Sequence, residues 1–256
     1  MRCTVCGTDN DAAQVRCGKC GQMLTHLRSR VAGPGNGIAS GVSNHSASEV
    51  ARKYKNEYSH VSIDQTDRSI EMIQDLLEMI STQKVDSKAL CEHIVKTVYR
   101  QMHVKEVSVG LRSASDGKFR YVTMHGMRAN VWTEHKKLAY TNDEFSDSAI
   151  YKGTMISKYT KLFLAEDEPY HESEKGTFNE HLMQISMRKA IDDSIEGDYL
   201  DIHVFGQGNE LLGWIEISGT WENKLLGPRS LKTMEIMASL AGIAFARDPT
   251  IVGQTP

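Results

Sequence analysis

Cys3, Cys6, Cys17 and Cys20 form two Cys-x-x-Cys pairs within the first twenty residues, each followed at once by a glycine, Gly7 and Gly21. Thiolates spaced this way on a short loop can reach one ion, and a glycine free to take φ > 0 lets backbone N–H groups turn toward the sulfurs. The spacing therefore predicts a tetrahedral metal site. Zinc is favoured because it takes four thiolates without redox chemistry; iron fits the same ligands. Two disulfides would use the same residues, but the rest of the chain reads as cytosolic, where thiols stay reduced. Four thiolates leave no coordination position open for catalysis, so the metal is expected to be structural. Residues 1–24 are too few for a core of their own, and the metal would supply the fold.

Other residues offer chemistry less distinctly. Cys91 lies within a helical turn of Ile94 and Val95 and is expected to be a buried structural thiol. His125, His135, His171, His181 and His203 show no i, i+4 pair and no neighbouring cysteine, so surface or satisfied histidines are expected. His203 alternates with Ile202 and Val204 and should face away from the apolar side of its strand. Trp132, Tyr140 and Phe145 sit beside Asp143, Glu144 and Asp147, the mixture a small-ligand pocket needs, and equally what a loop needs to pin itself to a sheet. Glu166, Asp167, Glu168, Glu172 and Glu174 read as a solvated acidic loop. No nucleophile elbow, phosphate-binding loop or HExxH occurs, so no enzymatic activity is expected.

The elements that must position these groups follow from periodicity. Residues 31–48 are rich in Gly, Ser, Asn and Pro and predict a flexible linker, set within a connecting region at 25–65. Ile70, Ile73, Leu76, Leu77 and Ile80 recur at helical spacing over 66–83, and their outer seam also fits a helix-pairing stripe. A second helix should open at Asp86 or Ser87 and run to about His103, with Leu90, Ile94, Val98 and Met102 on one face. Period two then takes over: Val107, Val109 and Leu111 form a strand, Asp116-Gly117 a turn, and Phe119 to Val122 its partner. From 126 to about 196 the pattern weakens, with a short strand at 161–164 and a helical piece at 178–187. Leu200 to Ser218 reads as a second hairpin, and Pro228 opens a closing helix through Leu231, Met234, Met237, Leu240, Ala241 and Ala244. The order predicts an α+β fold: an antiparallel sheet flanked by helices over 66–247, behind a small metal module and before a tail at 248–256.

The chain has 256 residues, 40% apolar and 25% charged, with a net charge of −3. That is ordinary globular composition with no bulk attraction to nucleic acid. Residues 1–30 carry Arg2, Arg16, Lys19, Arg28 and Arg30 against Asp9 and Asp11. A zinc held by four thiolates contributes −2 and leaves a surplus of about +1, a weak footprint for DNA or RNA. No secretory h-region follows Met1-Arg2-Cys3 and no run of 18 apolar residues occurs, so a cytoplasmic protein without a membrane span is expected.

The stretch Leu211-Leu212-Gly213-Trp214-Ile215-Glu216-Ile217, followed by Leu231 to Arg247 with its LAGIAFA ending, resembles the C-terminal strand and closing helix of GAF domains. The opening helices and first hairpin are similar too, so the resemblance spans about residues 67–247. The two cysteine pairs resemble a short zinc ribbon. The resemblance implies a GAF/PAS-like fold with a pocket between the sheet and residues 124–200, and a role in small-ligand sensing or dimerisation. It names no ligand. Bilin attachment needs a suitably placed cysteine, and residues 104–256 contain none. The expected protein is thus a regulator with a GAF-like sensory domain: its zinc ribbon would dock a protein partner and its helices would pair as a homodimer. The alternative is a nucleic-acid-associated regulator that makes its contact through the ribbon.

Overall fold

The computed structural model describes residues 8–10, 17–19, 65–82, 86–146, 150–168 and 170–252. The chain divides into two compact units, Met1–Val61 and Ser62–Pro256. In the first, Cys3, Cys6 and Cys20 lie outside the described residues, as does the 25–64 stretch; Cys17 is described and buried. Asn10 accepts a hydrogen bond from the Gly18 N–H at 2.9 Å and donates to the Thr8 carbonyl at 2.8 Å, which brings the two short segments together.

In the second unit the helical period gives α1 (Gln65–Thr82) and α2 (Ser87–Met102). Asp86 caps α2 by accepting from the Ala89 N–H at 3.3 Å, and His103 ends it in the left-handed region at φ 52°. Two hairpins follow the period-two segments: β1 (Val107–Arg112) with β2 (Phe119–His125), and β5 (Tyr199–Phe205) with β6 (Leu211–Ile217). Between them run α3 (Ala129–His135), α4 (Asn142–Ser146), β3 (Thr154–Met155), β4 (Thr160–Phe163) and α5 (Glu180–Ile185). The chain closes with α6 (Pro228–Phe245), begun by proline at its first position, and a turn of helix, α7 (Pro249–Val252). Residues 248–252, expected as part of a tail, join the body instead, because Ile251 is buried in the core and Asp248 accepts the Ser87 hydroxyl at 2.5 Å.

All strand pairs are antiparallel, in the order β2-β1-β6-β5-β4-β3. The α+β architecture predicted from the sequence is the one observed. Alternation sends Val107, Val109, Leu200, Ile202, Ile215 and Ile217 to one face, where they meet Leu90, Ile94 and Val98 of α2 and Met234, Met237, Ala241 and Phe245 of α6. Each large side chain fully buried here stabilises the fold by about 1.5–3 kcal/mol. Cys91 belongs to this core, and burial pushes its thiol far up. α1 buries Met72 and Leu76 against this layer and leaves Ile70 and Leu77 exposed.

One edge of the sheet is short. β3 has two residues, both exposed. At the other edge the start of β2 is occupied by Tyr140, whose N–H and carbonyl exchange hydrogen bonds with Phe119 at 2.9 and 2.8 Å.

Candidate functional site

The side chains that alternate away from the helical core are not left to solvent. The described residues between 126 and 198 fold across that second face, and a cavity of about 150 Å³ remains between them and the sheet. Strand register sets its floor in two rows. Lys161 stands opposite Asp201, Asp201 opposite Glu216, and Glu216 opposite Ser108. In the next row His203 faces Trp214, Trp214 faces Gly110, and Gly110 faces Tyr121.

Gly110 makes the second row possible. A Cβ at this position would lie 2.0 Å from Cη2 of Trp214, so the indole lies directly over the glycine. There it packs edge-on to Tyr121 and Tyr140, with centroids 4.9 and 5.8 Å away, and tilted against Phe145 at 5.0 Å. Such arrangements match the negative faces and positive edges of the rings.

The covering segment is tied down by buried carboxylates. Glu174 accepts the hydroxyls of Tyr140 and Tyr151 at 2.7 and 3.2 Å and the His171 N–H at 2.8 Å. Glu216 accepts the Tyr121 hydroxyl at 2.7 Å. Asp198, with its side chain wholly buried, accepts the N–H groups of Ala165 and Ile195 and a fork from Arg188, whose guanidinium also holds Glu166 and the Asp193 carbonyl. Glu174 therefore departs from the solvated acidic loop expected of it and turns inward to the phenols, while Glu166, Asp167, Glu168 and Glu172 are exposed, Glu166 pairing with Arg188.

Polar atoms on the floor lack such partners. Among the described residues, Asp201 Oδ1, His203 Nε2 and Ser218 Oγ are buried without a hydrogen bond, and all three residues line the cavity. Burial, reinforced by Glu216, pushes the Asp201 carboxyl well up against the opposing pull of Lys161. Burial raises Glu174 and Glu106 as well. The phenols of Tyr121, Tyr140 and Tyr199 are pushed well up, first by burial and then by neighbouring carboxylates, so they remain hydrogen-bond donors.

His203 faces away from the apolar side of β5, as its alternation implies, but it is buried because the opposite face is itself covered. Burial and then Lys161 lower it to about 4, so the ring is neutral at pH 7. An unfolded histidine titrates near 6.5, so between about pH 6.5 and 4 the folded chain binds fewer protons. The stability this group contributes is full above that window and is lost as pH falls through it. The wild type should lose up to about 3 kcal/mol relative to His203→Gln between pH 7 and 4. Urea midpoints of both proteins across a pH series would check this; parallel slopes would refute it.

Of the aromatic candidates, Tyr140 and Phe145 are on the cavity wall. Trp132 is outside its lining, edge-on to Tyr121 at 6.4 Å with Lys136 over its ring. Lys161, Asp201, Trp214 and Glu216 were not anticipated. Their signal was charged and aromatic residues at alternate positions of otherwise apolar strands. Among the described residues no three His, Cys, Asp or Glu side chains converge to hold a metal ion.

No family model matches this sequence, and no curated protein matches it. Solved structures resemble it distantly. The GAF domain of the Acinetobacter phosphoenolpyruvate-protein phosphotransferase is 10% identical, with 73% of this chain and 95% of that chain covered, at a TM-score of 0.46. The phycoerythrobilin-bound GAF domain of a cyanobacterial phytochrome is 14% identical, covering 73% and 96%, also at 0.46. The GAF domain of a sensor histidine kinase described from Pseudomonas syringae is 8% identical, covering 76% and 90%, at 0.41. At such identities no ligand passes from them to this chain.

Proposed function

We propose that this protein is a non-enzymatic regulator whose second unit senses a small molecule in the cavity on the second face of the sheet. One observation carries the reading: Asp201 and His203, each more than nine-tenths buried, stand on the wall of a 150 Å³ cavity with a polar atom that no protein group satisfies. Leaving such atoms unpaired costs about 1–3 kcal/mol each, a cost that a bound ligand can offset. The same atoms argue for binding without turnover. Ser218 Oγ and His203 Nε2 each lack a hydrogen-bond partner, so these two are not paired with each other as nucleophile and base.

The cysteine module, in this reading, holds a structural zinc through Cys3, Cys6, Cys17 and Cys20 and docks a protein partner. Native mass spectrometry of the full chain, purified without added metal, tests both parts. The expected mass includes one zinc and a retained small molecule. An apo mass with all four cysteines reduced would refute the metal site, and binding of nothing from a broad metabolite panel would refute the sensor.

Output passes through pairing of two copies. Ile70 and Leu77 on α1, with Ile236 and Ile243 on α6, are exposed apolar side chains on helices that pack together. A second copy presenting the same stripe would cover them. Light scattering of an Ile70→Glu, Leu77→Glu variant should then report a monomer where the wild type is a dimer; equal masses would sink the idea.

A further inference from the structure

We propose that the cavity takes a small organic cation, an ammonium carried on a frame about the size of a single ring; this rests on the ligand-binding reading above. The charge inventory is the first ground. Three carboxylates of the wall are already engaged. Asp198 is held by Arg188, Glu144 accepts the N–H and hydroxyl of Thr141, and Glu196 accepts the Asn179 N–H. Four others, Glu106, Glu174, Asp201 and Glu216, line the same cavity; Glu174 and Glu216 accept only neutral tyrosine hydroxyls and a backbone N–H, and the described lining supplies only Lys105 and Lys161 as permanent cations. Lys161 also donates to the Tyr151 carbonyl at 3.2 Å. Carboxylates gathered in this way repel one another and lose hydration, and a positive ligand relieves both costs.

The unpartnered Oδ1 of Asp201 is the second ground, because it offers an acceptor at the centre of the charged row. The third is aromatic. Tyr121, Tyr140, Phe145 and Trp214 lie together on the same wall, and ring faces attract cations, more so when water is excluded. The absence of a three-ligand cluster among the described residues sets a metal ion aside in favour of an organic one. The volume matches the scale of the ~150 Å³ engineered cavity that accepts benzene.

Three isosteres that differ in charge separate this inference from the reading beneath it. Titration calorimetry of the full chain at pH 7.5 should show benzylammonium binding at least ~10-fold more tightly than benzyl alcohol, with benzoate weakest, a preference worth about 1.4 kcal/mol or more. Asp201→Asn should remove that preference. Equal or tighter binding of the alcohol or of benzoate overturns the cation and leaves a ligand pocket standing. If none of the three binds and no molecule is retained in native mass spectra, both fail. The comparison of isosteres needs no variant, so a poorly folded Asp201→Asn does not block it.

Discussion

Asp198→Ala should destabilise the second unit by about 3–5 kcal/mol, the largest effect expected from any single side chain on the cavity wall. The carboxylate has no exposure and collects two backbone N–H groups and one guanidinium, from Ala165, Ile195 and Arg188. Truncation leaves all of these donors facing an apolar void. Arg188 would keep Glu166, but that carboxylate is half exposed, and such a pair is worth no more than about 1 kcal/mol. Glu166→Ala should accordingly cost less than about 1 kcal/mol. Urea unfolding followed by tryptophan fluorescence reads this unit alone, because Trp132, Trp214 and Trp221 all lie in it. Similar losses for the two variants would show that the clamp does not depend on the buried carboxylate.

Gly242→Ala should be destabilising by at least about 2 kcal/mol, although alanine in an exposed helix interior is better than glycine by about 1 kcal/mol. The reversal comes from where α6 rests. A Cβ on Gly242 would lie 2.1 Å from the Phe205 carbonyl oxygen of β5, and a backbone atom cannot rotate away as a side chain can. The helix would have to lift from the sheet and loosen Met237, Ala238 and Ala241, all fully buried. A denaturation midpoint equal to or above that of the wild type would show that the helix can move without cost.

The parts of the fold legible in the sequence are those where one face of a regular element is buried against another. Asp86 as a cap, Leu90, Ile94 and Val98 as a stripe, and the Val107 and Leu200 hairpins each satisfy a single local rule. The segment from 126 to 198 follows no such rule, because it closes a cavity instead of packing a continuous face. Its helices α3 and α4 span seven and five residues, too short for a period to register. Asp201 was hidden for a related reason. Alternation places it on the polar side of β5, which reads as solvent unless a second layer is known to cover it. Tyr140 and Phe145 could be singled out because aromatics among acids stand out in any segment; Trp132 carries the same signal and sits outside the lining.

The edges of the sheet bear on how copies of this protein can meet. Strand addition needs a length of free N–H and carbonyl groups, and an open edge is where β proteins aggregate or swap. Here β3 offers only Thr154 and Met155, and Tyr140 has already taken the pairing groups at Phe119. The β3 end of the sheet is thus a poor template for growth. A strand that adds to this sheet would have to meet β2 beyond Phe119, over residues 120–125, where side-chain shape as well as backbone pairing decides the match.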